Sequence, residues 1–287
     1  MPGLDLSMIS IIIPAHNEGA VISRTLTAIT ENAQPGELDV IVVCNGCTDA
    51  TAYIARRFGP PVRVIETDIA SKTHALNLGD EIARNFPRIY IDADVVITVD
   101  AIRSLARRLE QGDVLAVAPT PDFDLKGCSW AVRACFAIRS LLPSAHEGIG
   151  GSGVYALSEA GRARFHEFPT VTADDGYVRI QFQSQERETI RYVNSTVFPP
   201  RTVKELIATK SRAHYGSLEL ASLFPSLWRN RGEKNKESLI RLFTDPRLWG
   251  KLTIYCLVTV IAKRRARNRL RGATAPWDRD NTSRAMA

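Results

Sequence analysis

The sequence predicts an α/β protein, with a mostly parallel sheet covered by helices on both faces. Three observations predict it. Apolar strand-like runs alternate with segments of helical period through the first 120 residues. The runs are nearly continuous in apolar residues, as strands buried on both faces require. Each run ends in a polar cluster, and ligands of such sheets bind at the carboxyl ends of the strands.

The elements follow in order. "MISIIIP" reads as a buried strand, followed by a helical pattern from Glu18 to about Asn32. "LDVIVVC" is the second strand, and "CTDATAYIARRF" the helix after it, with Thr48 and Asp49 where an N-cap belongs. "VRVIET" is the third strand, with a helix from about Ser71 to Asn85. "RIYIDAD" is the fourth, with a helix from Val99 to Gln111, and "VLAVAP" the fifth. Four polar clusters therefore share one rim: Pro14 to Glu18, Cys44 to Asp49, Glu66 to Lys72 and Asp92 to Asp94.

After Pro121 the pattern changes. "GCSWAVRACFAIRSLL" has helical spacing, and a glycine-rich segment, "EGIGGSGVYAL", follows it. A short helix is expected near Glu159 to Phe165, a loop opening a helix in "TADDGYVRIQF", a strand in "TIRYVNSTVFP" and a helix over Thr202 to Leu223. From about 225 the alternation stops and the chain becomes basic and tryptophan-bearing. The expected organisation is therefore a domain over 1–224, divided near 120, with a basic helical extension over 225–287.

With 287 residues, 45% hydrophobic and 24% charged, a packed core is expected and wholesale disorder is excluded. The net charge of +6 suits a phosphorylated substrate, a membrane surface or nucleic acid. Cys44 and Cys47 form a CxxC, but no second pair follows at zinc-finger spacing. Five scattered cysteines point to reduced thiols and a cytoplasmic setting. "MPGLDLSM" lacks the basic and apolar regions of a secretory signal. The apolar stretch Leu252 to Ala262 is shorter than the roughly 20 residues a spanning helix needs.

Neither GxGxxG after the first strand nor GxxxxGK[ST] is present, so dinucleotide and P-loop readings lose their main support. Asp92 and Asp94 are the strongest acid pair. Residues i and i+2 of a strand share a face, and two carboxylates so placed repel unless a cation lies near them. Oxygen ligands suit Mg²⁺ or Mn²⁺. The other reading of the pair alone is a solvated turn.

The order "IIIPAHNE", "VIVVCNGCTDAT", "ASKTHALNLG", "YIDADV", "GGSGVYALS" and "TADDGYVR" resembles the family 2 glycosyltransferases, over about residues 8 to 220. The resemblance implies the GT-A fold, a nucleotide-diphosphate sugar as donor and a divalent metal, Mn²⁺ or Mg²⁺. It places Pro14, His16 and Glu18 near the nucleoside, and Lys72 near the base or diphosphate. Asn45 stands where the family often has an aspartate that reads the base, which weakens the case for uracil. The resemblance makes Asp94 the metal ligand and Asp92 a contact to the donor. By the same match Asp175 is the general base that takes the acceptor proton, with Asp174 beside it, and Gly151 lets backbone approach the sugar. Processive members carry Gln-x-x-Arg-Trp further on. Here only Arg212 is kept, with Thr209 and Ala213 at the flanking positions, which implies a non-processive enzyme. Arg212 would meet the diphosphate, and His214 is a candidate further metal ligand.

The segment 249–271 joins an apolar stretch to six basic residues within Lys263 to Arg271. It either lies in a membrane interface, within reach of a lipid-linked acceptor, or packs on the catalytic domain with a solvated basic tail. "APWDRDNTSR" is a candidate closing segment. The function expected is an inverting, non-processive glycosyltransferase of cell-envelope or polysaccharide synthesis, acting in the cytoplasm or at the inner face of the membrane. Nucleic acid is not an expected partner. The alternatives are a nucleotidyltransferase and a non-catalytic binder of nucleotide-sugars or nucleic acid.

Overall fold

The computed structural model describes residues 8–145, 149–232 and 235–272. "APWDRDNTSR" lies outside them. Seven strands form one sheet: β1 (Ile9–Ala15), β2 (Leu38–Asn45), β3 (Val62–Thr67), β4 (Arg88–Ile91), β5 (Ala116–Phe123), β6 (Val154–Leu157) and β7 (Arg187–Val197). Their order is β3-β2-β1-β4-β6-β5-β7. β6 pairs antiparallel with both β4 and β5, and the other pairings are parallel.

The helices are α1 (Ile22–Thr30), α2 (Thr51–Arg56), α3 (Lys72–Ile82), α4 (Val99–Glu110), α5 (Trp130–Arg139), α6 (Glu159–Arg162), α7 (Asp174–Ile180), α8 (Val203–Leu223), α9 (Lys236–Leu242) and α10 (Trp249–Leu270). Alternate residues of the apolar strands feed two cores. Ile11, Ile13, Val40, Val42 and Ile89 meet Leu26 of α1, Ala55 of α2 and Leu105 of α4 on one face. Ile12, Ile41, Val43 and Tyr90 meet Leu76 of α3 and Val178 of α7 on the other. This two-sided burial explains why the strand sequences carry no alternation.

Side chains start the helices where the sequence suggests. Ser71 accepts from the His74 N–H at the start of α3, and Thr98 from that of Ala101 at the start of α4. α2 begins later than expected, because Asp49 turns back to the Thr51 N–H and leaves Ala50 at the N-cap position. Gly79 lets α3 lie close on β1, since a Cβ there would fall 2.5 Å from Ile12 Cγ2. That seating fixes Lys72, in the first turn of α3, at the sheet's rim.

The C-terminal extension does not stand apart. Val258 of α10 shares a third core with Val132, Cys135 and Phe136 of α5 and Leu206 and Ile207 of α8. Among the described residues no helix is long and apolar enough to cross a membrane.

Candidate active site

The site is built on a knitted rim. In the loop after β1, the Gly19 N–H donates to Asp49 at 2.9 Å, and the Glu18 N–H to Thr51 Oγ1 at 2.8 Å. Asn17 Oδ1 accepts from the Thr48 N–H at 2.7 Å. His16 Nδ1 donates to the Asn45 carbonyl at 2.5 Å. The Asn45 side chain is buried and its amide joins two other elements, donating to the Ala15 carbonyl at 2.8 Å and accepting from the Ser71 N–H at 3.2 Å. Asn45 thus ties the ends of β1 and β2 to the start of α3. Glu18 is also buried.

Cys47 belongs to the same network. It accepts from the Asn17 N–H and donates to the Ala15 carbonyl, each at 3.3 Å. Burial pushes the Cys44 thiol up to about 12, and both cysteines are free. A thiol held that far from ionising is a poor redox nucleophile, and Cys44 packs in the core at the end of β2.

The acid pair departs from the expected geometry. β4 ends at Ile91, and residues 92–95 form a turn closed by the Val95 N–H on the Asp92 carbonyl at 3.1 Å. Asp92 and Asp94 therefore do not share a strand face. The turn leaves the strand because its backbone is claimed from α1: Thr25 Oγ1 donates to the Ala93 carbonyl at 2.8 Å, and Arg24 to that of Asp94 at 3.1 Å. Asp92 turns into a cleft. Asp94 lies on the adjoining rim and is not among the residues that line it.

That cleft is lined by Pro14, Lys72, Asp92, Tyr155, Asp174 and Asp175 together with residues 150–153. Lys72 Nζ bridges Asp92 at 2.7 Å and Asp174 at 3.0 Å. Three elements distant in sequence, α3, the β4 turn and α7, meet at this one ammonium. Burial alone would lower the Lys72 pKa, yet Asp174 and Asp92 outweigh it and hold the lysine well above its ordinary value. Burial raises the Asp174 carboxyl to about 6 against the pull of Lys72, with Asp175 and Asp92 adding to the rise. Asp175 is more open. Its carboxylate accepts from the Gly176 N–H at 2.7 Å and the Gly151 N–H at 3.4 Å.

Gly150, Gly151 and Gly153 have φ of 133°, 86° and 66°. At Gly153 a Cβ would fall 2.4 Å from Val95 Cγ2. The loop can pass this close to the acid turn only without side chains. The Gly153 carbonyl accepts from the Asp92 N–H at 2.8 Å, which clamps loop to turn.

Tyr155 is the residue that sequence reasoning missed. It stacks on Tyr90 with centroids 4.8 Å apart, and its buried hydroxyl has no hydrogen-bond partner among the described residues. An unpaired buried hydroxyl is costly, and this one lies in the cleft wall. The only signal in the sequence is a tyrosine following the glycine loop.

Six of the expected site residues do not line the cleft: His16, Glu18 and Asn45 lie in the knitted rim, Asp94 on the turn beside it, and Arg212 and His214 on α8. Arg212 lies half-buried on α8. His214 is surrounded by cations. Burial, Lys210 and Lys263 lower it to about 4. Among the described residues no three His, Cys, Asp or Glu side chains converge closely enough to hold a metal ion on their own. The turn itself still suits a cation shared with substrate. Asp92, with a 39% exposed side chain, and Asp94 offer one or two carboxylates. That is the donor set Mg²⁺ or Mn²⁺ takes when diphosphate oxygens and water complete its shell.

Comparison with known proteins places this geometry. The mannosyltransferase PcManGT from Pyrobaculum calidifontis, solved with GDP-Man and Mn²⁺, superposes with a TM-score of 0.59 at 21% identity, covering 94% of this chain and 76% of its own. Glucosyl-3-phosphoglycerate synthase from Mycobacterium tuberculosis, solved with Mn²⁺, UDP and glucosyl-3-phosphoglycerate, gives 0.56 at 20% identity, covering 77% of this chain and 85% of its own. These likenesses establish the GT-A fold. In sequence, the 4,4'-diaponeurosporenoate glycosyltransferase of Staphylococcus aureus (strain USA300) is 30% identical over 170 residues, 57% of this chain. The match spans 43% of that relative's length. Residues 10–142 match the model of "Glycosyl transferase family 2", a stretch that holds the knitted rim, Lys72 and the Asp92 turn. With the fold and the sequence relatives in agreement, residues 10–142 are a family 2 glycosyltransferase domain.

Proposed function

We propose that the chain moves one sugar, with inversion, from a nucleotide-diphosphate sugar to an acceptor hydroxyl. The observation that carries this reading is the convergence of Asp92, Lys72, Asp174 and Asp175 with the glycine loop in one cleft at the strand ends. The knitted rim of Pro14, His16, Glu18 and Asn45 would form the nucleoside cradle. Lys72, and Arg212 from α8, would face the diphosphate. The domain over 1–224 would carry the chemistry, 1–120 holding the donor and 121–224 the acceptor, with 225–287 as the extension.

Asp175 is the general base in this reading. It is the more open of the two acids, and the Gly151 N–H holds one carboxylate oxygen toward the loop. Asp174 is buried and paired, which suits it to fix Lys72 rather than to collect a proton. A divalent cation, Mn²⁺ or Mg²⁺, bound through Asp94 and Asp92 would neutralise the charge that develops on the leaving diphosphate. The metal and nucleotide complexes of the two structural neighbours support that donor class. The lone Arg212, without the flanking Gln and Trp, supports single transfer rather than polymerisation.

The outward face of α10 supports peripheral contact with an anionic membrane, which would bring a lipid-linked acceptor within reach. Trp249, Leu257, Val260 and Ile261 are 56%, 58%, 46% and 40% exposed. The same face continues into the exposed Arg264, Arg267 and Arg271. An apolar stripe running into arginines complements acyl chains and anionic headgroups together. The five free cysteines fit the reducing cytoplasmic side.

The test is a thermal-shift screen of nucleotides and nucleotide-sugars with and without Mn²⁺. A metal-dependent rise with one donor is expected. No rise with any of them would remove the reading.

A further inference from the structure

Behind the glycine loop lies a group of cations that the reaction above does not use. Arg139, in the last turn of α5, sits over the Phe123 and Phe136 rings at 4.7 and 5.7 Å. Among the described residues no carboxylate pairs with it. Lys210 of α8 lies 4.5 Å from the Tyr255 ring centroid of α10 and, among the described residues, has no acid partner either. Two helices, α5 and α8, thus turn cations toward one aromatic-walled place, to which α10 adds the Tyr255 ring. Lys263 of α10 and His214 complete the group, and both bear on it electrostatically.

Arg139 and Lys210 are half-buried, and charge drawn even partly out of water without a counter-ion is costly. The fold supplies more cations instead. Burial, with Arg139 and Lys263 adding, lowers the Lys210 ammonium to about 8, and burial also lowers Arg139. A bound anion would relieve all of them together.

The position gives the group its meaning. A Cβ on Gly151 would fall 2.6 Å from Arg139 Nη2, so the guanidinium presses against the loop at a residue that only glycine can fill. The N–H of that same residue donates to Asp175. The glycine loop is therefore the partition between the acid pair and the cations. A molecule with a hydroxyl at Asp175 and an anionic group reaching past the edge of the loop would meet both.

We propose that Arg139 and Lys210 form the anion subsite of the acceptor, so that the substrate hydroxyl belongs to a molecule bearing a phosphate or carboxylate. The inference rests on the reading of Asp175 as the base. It goes further in naming the acceptor's chemical class. Planar guanidinium and flexible ammonium together suit a phosphate or carboxylate. The aromatic walls would exclude water and strengthen both contacts.

The test measures the thermal midpoint of the full chain with inorganic phosphate, with acetate, and with sodium chloride at matched ionic strength. Wild type, Arg139→Gln, Lys210→Gln and Lys72→Gln are compared. At ten times the dissociation constant, the anion should raise the wild-type midpoint by about 3 °C over the chloride control. The rise should vanish in Arg139→Gln and Lys210→Gln and persist in Lys72→Gln. Whichever of phosphate and acetate acts names the group. A rise lost only in Lys72→Gln would put the anion in the donor's diphosphate site and overturn the proposal, as would no rise in wild type. Acylation of Lys210 in wild type, read by mass spectrometry with and without the anion, needs no variant. Protection is expected, and unchanged labelling would refute the subsite. The donor-and-Mn²⁺ shift, measured alongside, tests the parent reading separately. It should survive in Arg139→Gln and Lys210→Gln.

Discussion

Asp80 holds together the two elements that deliver Lys72 and Asp92, and its removal should be among the costlier single changes in the chain. It projects from α3 with a side chain only 4% exposed. Its carboxylate accepts from the Tyr90 hydroxyl at 2.8 Å and from Arg88 at 2.5 Å, and pairs with Arg162 of α6. Asp80→Ala leaves two guanidiniums, each 14% exposed, and a buried phenol without their shared acceptor. Removing one partner of a buried pair costs about 3–5 kcal/mol. Arg88 keeps the Ala83 carbonyl at 2.8 Å, and Arg162 keeps those of Phe165 and His166 at 2.5 and 2.6 Å. Those contacts put the expected loss at the lower end, about 3 kcal/mol. With a urea slope of about 3 kcal/mol/M, the midpoint should fall by about 1 M. Asp80→Asn keeps the shape and one acceptor but not the charge, and should lose roughly half as much. Urea unfolding followed by tryptophan fluorescence and far-UV circular dichroism measures both. A loss below about 1 kcal/mol for Asp80→Ala would mean that water serves the arginines, and the network would not be what joins α3 to β4.

Four further outcomes are expected. Asp175→Asn should abolish sugar transfer while leaving the donor-induced thermal shift intact; retained turnover would take the base role from Asp175. The Asp174 carboxyl is raised from 3.8 to about 6, so the folded state binds more protons than the unfolded between those values. Its contribution therefore falls as pH rises through that window, and above about 6 it costs up to about 3 kcal/mol. The stability difference between wild type and Asp174→Asn should change across pH 4 to 6, and a flat difference in urea titrations would contradict the shift. A Cβ on Gly216 would fall 2.7 Å from that of Ala173, the residue before the acid pair. Gly216→Ala should cost about 1–3 kcal/mol and lower turnover, with partial recovery of the urea midpoint in the double variant with Ala173→Gly. Replacing Leu257 and Val260 with Ser should release the chain from vesicles rich in anionic lipid in a flotation assay, and unchanged flotation would remove α10 from the membrane.

Much of the fold was legible because strands buried on both faces must be apolar throughout, as in "MISIIIP" and "LDVIVVC". β6 escaped, since four residues inside a glycine-rich stretch carry no period. The rim was legible as a row of polar clusters at strand ends. The geometry of Asp92 and Asp94 was not, because Thr25 and Arg24, some 70 residues earlier, take the backbone out of the strand. The bridge from Lys72 to Asp92 and Asp174 joins three distant segments, and each reads alone as an ordinary polar position. The cations of α5, α8 and α10 were harder still. Arg139 and Lys210 look like solvated helix residues until the packing of three helices turns them inward.

The reversed strand β6 bears on how such a chain can vary. Its entry, not its exit, lies at the functional rim, so the glycine loop reaches the acid turn head-on. Register fixes the meeting: Val154 pairs with Ile91, and Tyr155 with Tyr90. A slip of one residue would exchange the faces of Val154 and Tyr155, taking the phenol out of the cleft. An insertion or deletion at 150–153 thus could not be absorbed as slack. Among related chains the length of this loop should be nearly invariant, while the 225–248 connection, whose described residues pair with no strand, is free to drift.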